Sequence, residues 1–137
     1  TYIADLNIAL IKLIATKIGI KTPLFRSSEL SEVEGRKDDR LVEICFFLGA
    51  NQYLSPQGSA AYIESERPGG AFPDAGIELF YHNFEHPEYP QQSSPFLSHM
   101  SILDLLMNCG YKGAIDVIRS GRREMIPYQQ FRQMHFS

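Results

Sequence analysis

The chain has no apolar run near the ~20 residues that a membrane-spanning helix needs; its longest, Ile8 to Ile14, is already broken by Lys12. It also has no surplus of positive charge. Thirteen Lys and Arg stand against sixteen Asp and Glu, a net charge of -3, so no cationic field exists to hold nucleic acid or an anionic membrane. Cysteine is scarce: Cys45 and Cys109 lie far apart, each in an apolar helical pattern, and read as buried reduced thiols rather than a disulfide framework. No signal peptide is visible, because Asp5, Asn7, Lys12 and Lys17 interrupt the first twenty residues. A cytoplasmic location is the expectation. Missing too are a P-loop, a G-x-G-x-x-G turn, a G-x-S-x-G elbow, a C-x-x-C pair and any internal repeat, so no cofactor is expected.

What is present has the make-up of a globular domain: 137 residues, 44% hydrophobic and 21% charged, which predicts one core. The chain starts at Thr1 rather than Met, and a helical pattern begins almost at once without a cap or leader. Sequence missing upstream is expected.

Along the chain, Ile3, Leu6, Leu10, Leu13 and Ile14 recur at helical spacing from Tyr2 to Ile18, and Gly19 stands where an αL cap would end the helix. Ile20 to Ser27 reads as a short strand, at an edge or irregular because Pro23 lacks an amide donor. A second helix follows Asp38 and Asp39 and ends at Gly49. Gln52 to Ser55 reads as a strand and Ala60 to Ile63 as a short helix. The best strand is Ile77 to Phe84, with Ile77, Leu79 and Tyr81 on one face and Glu78, Phe80 and His82 on the other. Beyond the irregular stretch Glu85 to Leu97, Ser101 can cap a helix with Asp104 at its N3 position, Gly110 stops it, and Tyr111 to Arg119 forms another. Residues 1–121 therefore read as an α/β domain and residues 122–137 as a polar, flexible or partner-bound tail. Alternating helices and strands predict a three-layer sandwich around a small, mostly parallel sheet of about three strands. Three strands leave edges and faces uncovered, so the sheet is expected to be part of a larger Rossmann-like one, completed by a missing amino-terminal half.

The sharpest literal match to a chemical motif is His82-Asn83-Phe84-Glu85-His86, of the H-x-x-E-H zinc-peptidase form. That chemistry needs a helix to put both imidazoles on one face, whereas here a strand leads in and Pro87 and Pro90 lead out, so no metal site is assigned. Ser55-Pro56-Gln57-Gly58 sits at a strand-to-helix turn that can offer backbone amides to an anion, or Gly58 merely permits the turn. More informative is the loop after the best strand, where His86, Glu88, Tyr89 and Gln91 are set between prolines. Ligands of open α/β sheets lie beyond the carboxyl ends of the strands. There His86 is a candidate general base, since imidazoles titrate near neutrality. Tyr89 and Gln91 are candidate substrate contacts; equally, the side chains simply fasten the loop. Asp104 and Asn108 share a helix face and can point at that loop, with capping an equal alternative for Asp104.

Tyr53-Leu54-Ser55 with Gly58 and Tyr62, Gly76-Ile77, His86-Pro87 with Tyr89-Pro90-Gln91, and Ser101-Ile102-Leu103-Asp104-Leu105-Leu106 with Asn108 and Gly110 together resemble the WbqC-like protein family. The resemblance runs from the first helix to about Gly110. It implies a bacterial O-antigen or surface-polysaccharide biosynthesis protein, with acyl or aminoacyl (glycyl) transfer to an amino sugar. Family members usually open with a His-Gln-Pro strand and a Trp-rich segment; this chain has no Trp, which implies a carboxy-terminal part. Pro56 stands where the family tends to have Gly, and Met100 where it tends to have Leu, the latter a volume-conserving swap.

The leading expectation is thus a transferase in which His86 and Asp104 are catalytic, Asp104 orienting the loop or the base. Ser55, Gly58, Tyr89, Gln91 and Asn108 contact an amino sugar or sugar nucleotide. The alternative is a non-catalytic sugar-nucleotide-binding or assembly module. Expected partners are the small-molecule substrate and the amino-terminal half, with self-association into a homo-oligomer left open.

Overall fold

A computed structural model describes Tyr2 to Phe136. In chain order the elements are α1 (Tyr2–Lys17), α2 (Lys37–Phe47), β1 (Gln52–Ser55), α3 (Ala60–Ile63), β2 (Glu78–Tyr81), α4 (Ile102–Ser120), β3 (Ile126–Pro127) and α5 (Tyr128–His135), with 3-10 turns at Ser27–Glu29 and Gln57–Ser59. Chain length predicted one core; the buried apolar residues instead form two clusters. They belong to two units. One holds residues up to Leu24 together with Phe84–Arg122, and the other holds Phe25–Asn83 together with the chain from Arg123 onward.

The second unit carries the sheet, in the order β1-β2-β3. β1 and β2 run parallel, from Gln52 opposite Glu78 to Ser55 opposite Tyr81, and β3 runs antiparallel to β2, with Ile126 opposite Tyr81. The alternation in β2 decides its faces: Ile77, Leu79 and Tyr81 are buried as the pattern predicts, while Glu78 is exposed. Against them pack Val42 and Cys45 of α2, Ala60 and Ile63 of α3, and Phe131 of α5. Tyr53 stacks on Phe72 with ring centroids 4.9 Å apart, and Tyr81 on Phe131 at 4.2 Å. Burial raises the pKa of the Cys45 thiol, which suits an inert core residue.

Three expectations need correction. The sheet is mixed, not mostly parallel, because its third strand comes from Ile126–Pro127 rather than from Ile20 to Ser27. Residues 20–26 form neither helix nor strand. The segment that follows is tied to α2 by side chains instead of a ladder: Arg40 donates to the carbonyls of Val33 (2.7 Å) and Ser27 (3.3 Å). Glu43 accepts from the amides of Glu34 and Gly35, at 2.8 Å each. Finally, residues read as a polar tail hold β3 and α5, with Phe131 only 4% exposed. The two helices expected on either side of Gly110 do form, as a single run bent where Gly110 takes φ 67° and ψ 172°.

The sheet unit is fastened by a buried carboxylate. Glu64, 5% exposed, accepts from the Tyr81 hydroxyl (2.8 Å), the Gly69 amide (2.9 Å) and the Arg132 guanidinium (2.9 Å). Burial first, and then the hydrogen bond to Glu64, holds the Tyr81 phenol far above its ordinary pKa. Gly69 and Gly70, with φ of 74° and 56°, turn the chain beside it; a Cβ on Gly70 would stand 3.0 Å from the Ile63 carbonyl and closer still to the Asp38 carboxylate. Replacing Glu64 by Ala is expected to cost about 3 kcal/mol of stability, since three donors lose their acceptor and Arg132 loses its counter-charge. Urea unfolding of the two proteins measures this, and a loss under ~1 kcal/mol would show that the network contributes little.

Candidate functional site

The first unit is built around α4. Ser101 caps it, its hydroxyl accepting from the Leu103 amide at 3.2 Å, and Leu105 and Ala114 are buried against Tyr89 and Ile18, the residue that follows α1. Only the carboxyl end of α1 takes part. Ile14 packs there, whereas Ile3, Leu6, Leu10 and Leu13, the face expected to be covered, are at least 47% exposed. The chain enters this unit at Phe84, which bridges to Arg122 while the Glu85 amide donates to the Gly121 carbonyl (2.9 Å). Phe84 and Glu85 lie so close over Gly121 that a side chain there would collide with both.

The loop that follows is held by the residues singled out in the sequence. Asp104 is the hub. Its Oδ2 accepts from the Tyr89 hydroxyl (2.8 Å) and from Gln91 Nε2 (2.9 Å), while Asn108 Nδ2 lies 3.3 Å from its Oδ1 and 2.9 Å from its carbonyl. Gln91 also closes the loop on itself, donating to the Leu97 carbonyl (3.0 Å) and accepting from the Leu97 amide (2.8 Å). Of the two readings of Asp104, the carboxylate serves the loop, while Ser101 caps α4 through its own hydroxyl. Tyr89 is 9% exposed; burial first, then donation to Asp104, raises its phenol pKa.

His86 stands apart from this hub. Its Nδ1 lies 3.1 Å from the Pro87 carbonyl, and its Nε2 accepts from the His99 amide at 3.2 Å. It opens on a cavity of about 170 Å³ lined by Phe84, Tyr89, Met100, Ile102, Leu105 and Val117 among others. Gln91, Asp104 and Asn108 open on a different cavity, of about 320 Å³, whose walls also include Gln92, Ser93 and Met107. Met100 is the residue common to both linings.

Ser55 and Gly58 belong to the sheet unit. Ser55 is fully buried, its hydroxyl 3.2 Å from the Pro56 carbonyl. Gly58 has open space where a Cβ would be, so nothing in the turn demands glycine. The H-x-x-E-H run is extended: β2 ends at Tyr81 and residues 82–86 include no helix, so the helical presentation a zinc-peptidase signature requires is not there. Among the described residues no group of three His, Cys, Asp or Glu side chains is placed to hold a metal ion, and no helix is long and apolar enough to cross a membrane. Sequence reasoning missed His99, Leu97 and the cavity residues Gln92 and Ser93. Leu97 acts through its backbone, which no side-chain pattern reveals.

Compared with known proteins, the model of the WbqC-like protein family matches residues 1–115. The uncharacterized protein Rv1507c of Mycobacterium tuberculosis is 29% identical over 124 residues, covering 90% of this chain and 51% of the relative. The chain thus spans about half the length of that relative. No solved structure matches significantly.

The Tyr89–Asp104 bond has a measurable signature. A phenol whose pKa is raised on folding contributes stability that is complete below its ordinary pKa of about 10 and is lost as pH rises through the raised value. Tyr89→Phe should therefore cost about 1 kcal/mol at neutral pH, and the gap to the parent protein should shrink above about pH 10. A gap that stays constant from neutral to strongly alkaline pH, measured by urea unfolding, would argue against the bond.

Proposed function

Because the chain belongs to the WbqC-like protein family, we propose that it supplies the sugar-binding loop and helix of a bacterial surface-polysaccharide (O-antigen) biosynthesis protein. In this reading the full-length protein transfers an acyl or aminoacyl (glycyl) group to an amino sugar carried on a nucleotide or a lipid. The observation that carries it is the 320 Å³ cavity where the carboxamides of Gln91 and Asn108 and the carboxylate of Asp104 come together. Amides and carboxylates side by side offer both donors and acceptors, which is what a polyhydroxylated ring with an amine requires. Tyr89 and Gln91 act by holding Asp104, Asn108 contacts the sugar, and His86 is the base once its Nε2 is released from the His99 amide.

The rest of the protein belongs to the same proposal. A helix apolar on several sides is ordinarily an interior one, and an amino-terminal half laid over Ile3, Leu6, Leu10 and Leu13 would make α1 so. It would also extend the three-stranded sheet into a larger Rossmann-like, three-layered one. The protein would then work in the cytoplasm, where nucleotide-linked sugars are made.

A second reading, a non-catalytic sugar-nucleotide-binding or assembly module, is favoured by one feature: both ring nitrogens of His86 already have partners. Calorimetric titration of the full-length protein with nucleotide-linked amino sugars, together with a transfer assay, tests both. Asn108→Leu is expected to weaken sugar binding roughly tenfold, the value of about one lost hydrogen bond, and His86→Ala to abolish transfer while leaving binding intact. Binding indifferent to Asn108→Leu would remove the cavity from the site, and transfer unchanged in His86→Ala would remove His86 from the chemistry.

A further inference from the structure

His86 and His99 face each other with ring centroids 4.8 Å apart, and the rings of Phe96, Tyr89 and Phe84 stand 6.1 to 6.4 Å from His86. The partners of the His86 ring fix its proton. A carbonyl can only accept, so the nitrogen beside the Pro87 carbonyl carries the hydrogen. A backbone amide can only donate, so the nitrogen facing the His99 amide carries the lone pair. Both contacts hold together in one form of the ring, the neutral Nδ1–H tautomer. An imidazolium puts a second hydrogen on Nε2, where it meets the His99 N–H head-on.

We propose that the His86–His99 contact is a proton-operated latch: with His86 neutral it seats the returning end of the loop against the apolar cavity beside α4, and a proton on Nε2 releases that end and opens the cavity. His86 and Met100, the residue after His99, both line this cavity, with Phe84, Ile102, Leu105 and Val117 forming much of the rest. His99 is held at φ 61°, a conformation sparsely populated outside glycine, so the segment has a more favourable backbone to relax into once the bond is gone.

Most of the groups around His86 carry no charge. From α4 and its cap the cavity receives Ser101, Ile102, Leu105, Val117 and Ile118, none of which titrates. Asp104 on the same helix spends its carboxylate on Tyr89, Gln91 and Asn108. α1 and the turn after it bring Ile14 and Ile18 to the cluster around Tyr89. From the loop come Tyr89, whose hydroxyl is committed to Asp104, the exposed neighbours Glu85 and Glu88, and His99 itself. Two imidazoliums at the spacing of the pair repel, so charging both drives the rings apart. The latch rests on the His86–His99 contact alone and holds whether or not the protein is an enzyme.

Nitrogen-15 NMR of the full-length protein, titrated between about pH 8 and pH 5, where histidines ordinarily change charge, tests it. At the upper end the His86 ring should show the Nδ1–H tautomer. On acidification the His99 amide should shift with the same midpoint as the His86 ring, and its exchange protection should fall roughly tenfold, the worth of about one hydrogen bond. In His86→Gln the side-chain oxygen can accept from the His99 amide at every pH, so the step should vanish. In His99→Ala the backbone amide is kept and the step should remain. A neutral His86 found as the Nε2–H tautomer, or an acid step that survives in His86→Gln, overturns the latch.

Discussion

A carboxylate shut away from water must be met by donors on every side, and in the sheet unit Glu64 sets where three separate pieces of chain go. The central strand supplies the Tyr81 hydroxyl, the glycine turn supplies the Gly69 amide, and the last helix supplies Arg132 from 68 residues away. The three demands are coupled. Gly69 can present its amide only because its φ is positive and its bare Cα fits against Pro73 and Tyr128. Arg132 can reach only because Phe131, beside it on α5, is pinned to the Tyr81 ring. A sheet of three short strands has little ladder to hold it together, so this one charge takes over work that a larger sheet would leave to backbone pairing.

The loop unit solves a similar problem with less burial. Asp104 is half-buried, and it converts a proline-broken stretch with no regular structure into a fixed wall by accepting from Tyr89 and Gln91. Gln91 then reproduces a two-bond backbone pairing with Leu97 through its carboxamide. Hydrogen bonds to a charged acceptor are worth more than neutral ones, which explains why one carboxylate organises the turn from Tyr89 to Leu97. Gln91 and Asp104, which build the wall, also line the polar cavity, so its shape depends on the same atoms.

How much of this was legible in the sequence follows from the range of each interaction. The inward face of β2, the capping of α4 by Ser101 and the break at Gly110 were readable because a period, a cap and a glycine act within a few residues. The trio Tyr89, Gln91 and Asp104 was also legible, since a polar loop followed by a capped helix places those side chains within reach. β3 was not. Two residues carry no period, and Ile126–Pro127 becomes a strand only because β2 has an open edge beside it. The same logic undid the strand expected at Ile20 to Ser27, whose apolar residues fit a strand but whose neighbours, Arg40 and Glu43, satisfy the following backbone without a ladder. Glu64 looked like any surface glutamate, because its three partners are 5, 17 and 68 residues distant.

The division between the two cavities changes what the candidate catalytic pair can do. Read from the sequence, His86 and Asp104 form a base and the carboxylate that orients it. In the structure the Asp104 oxygens are taken up by Tyr89, Gln91 and Asn108, and the His86 nitrogens by the backbone of Pro87 and His99. A carboxylate already accepting from a phenol and two amides has little left to stabilise an imidazolium, and Asp104 holds the loop instead. The His86 ring is surrounded instead by aromatic rings and the His99 amide. Chemistry at His86 would have to begin with movement of the His99 backbone, and Met100, the next residue, lines both cavities and would carry that movement to the polar one.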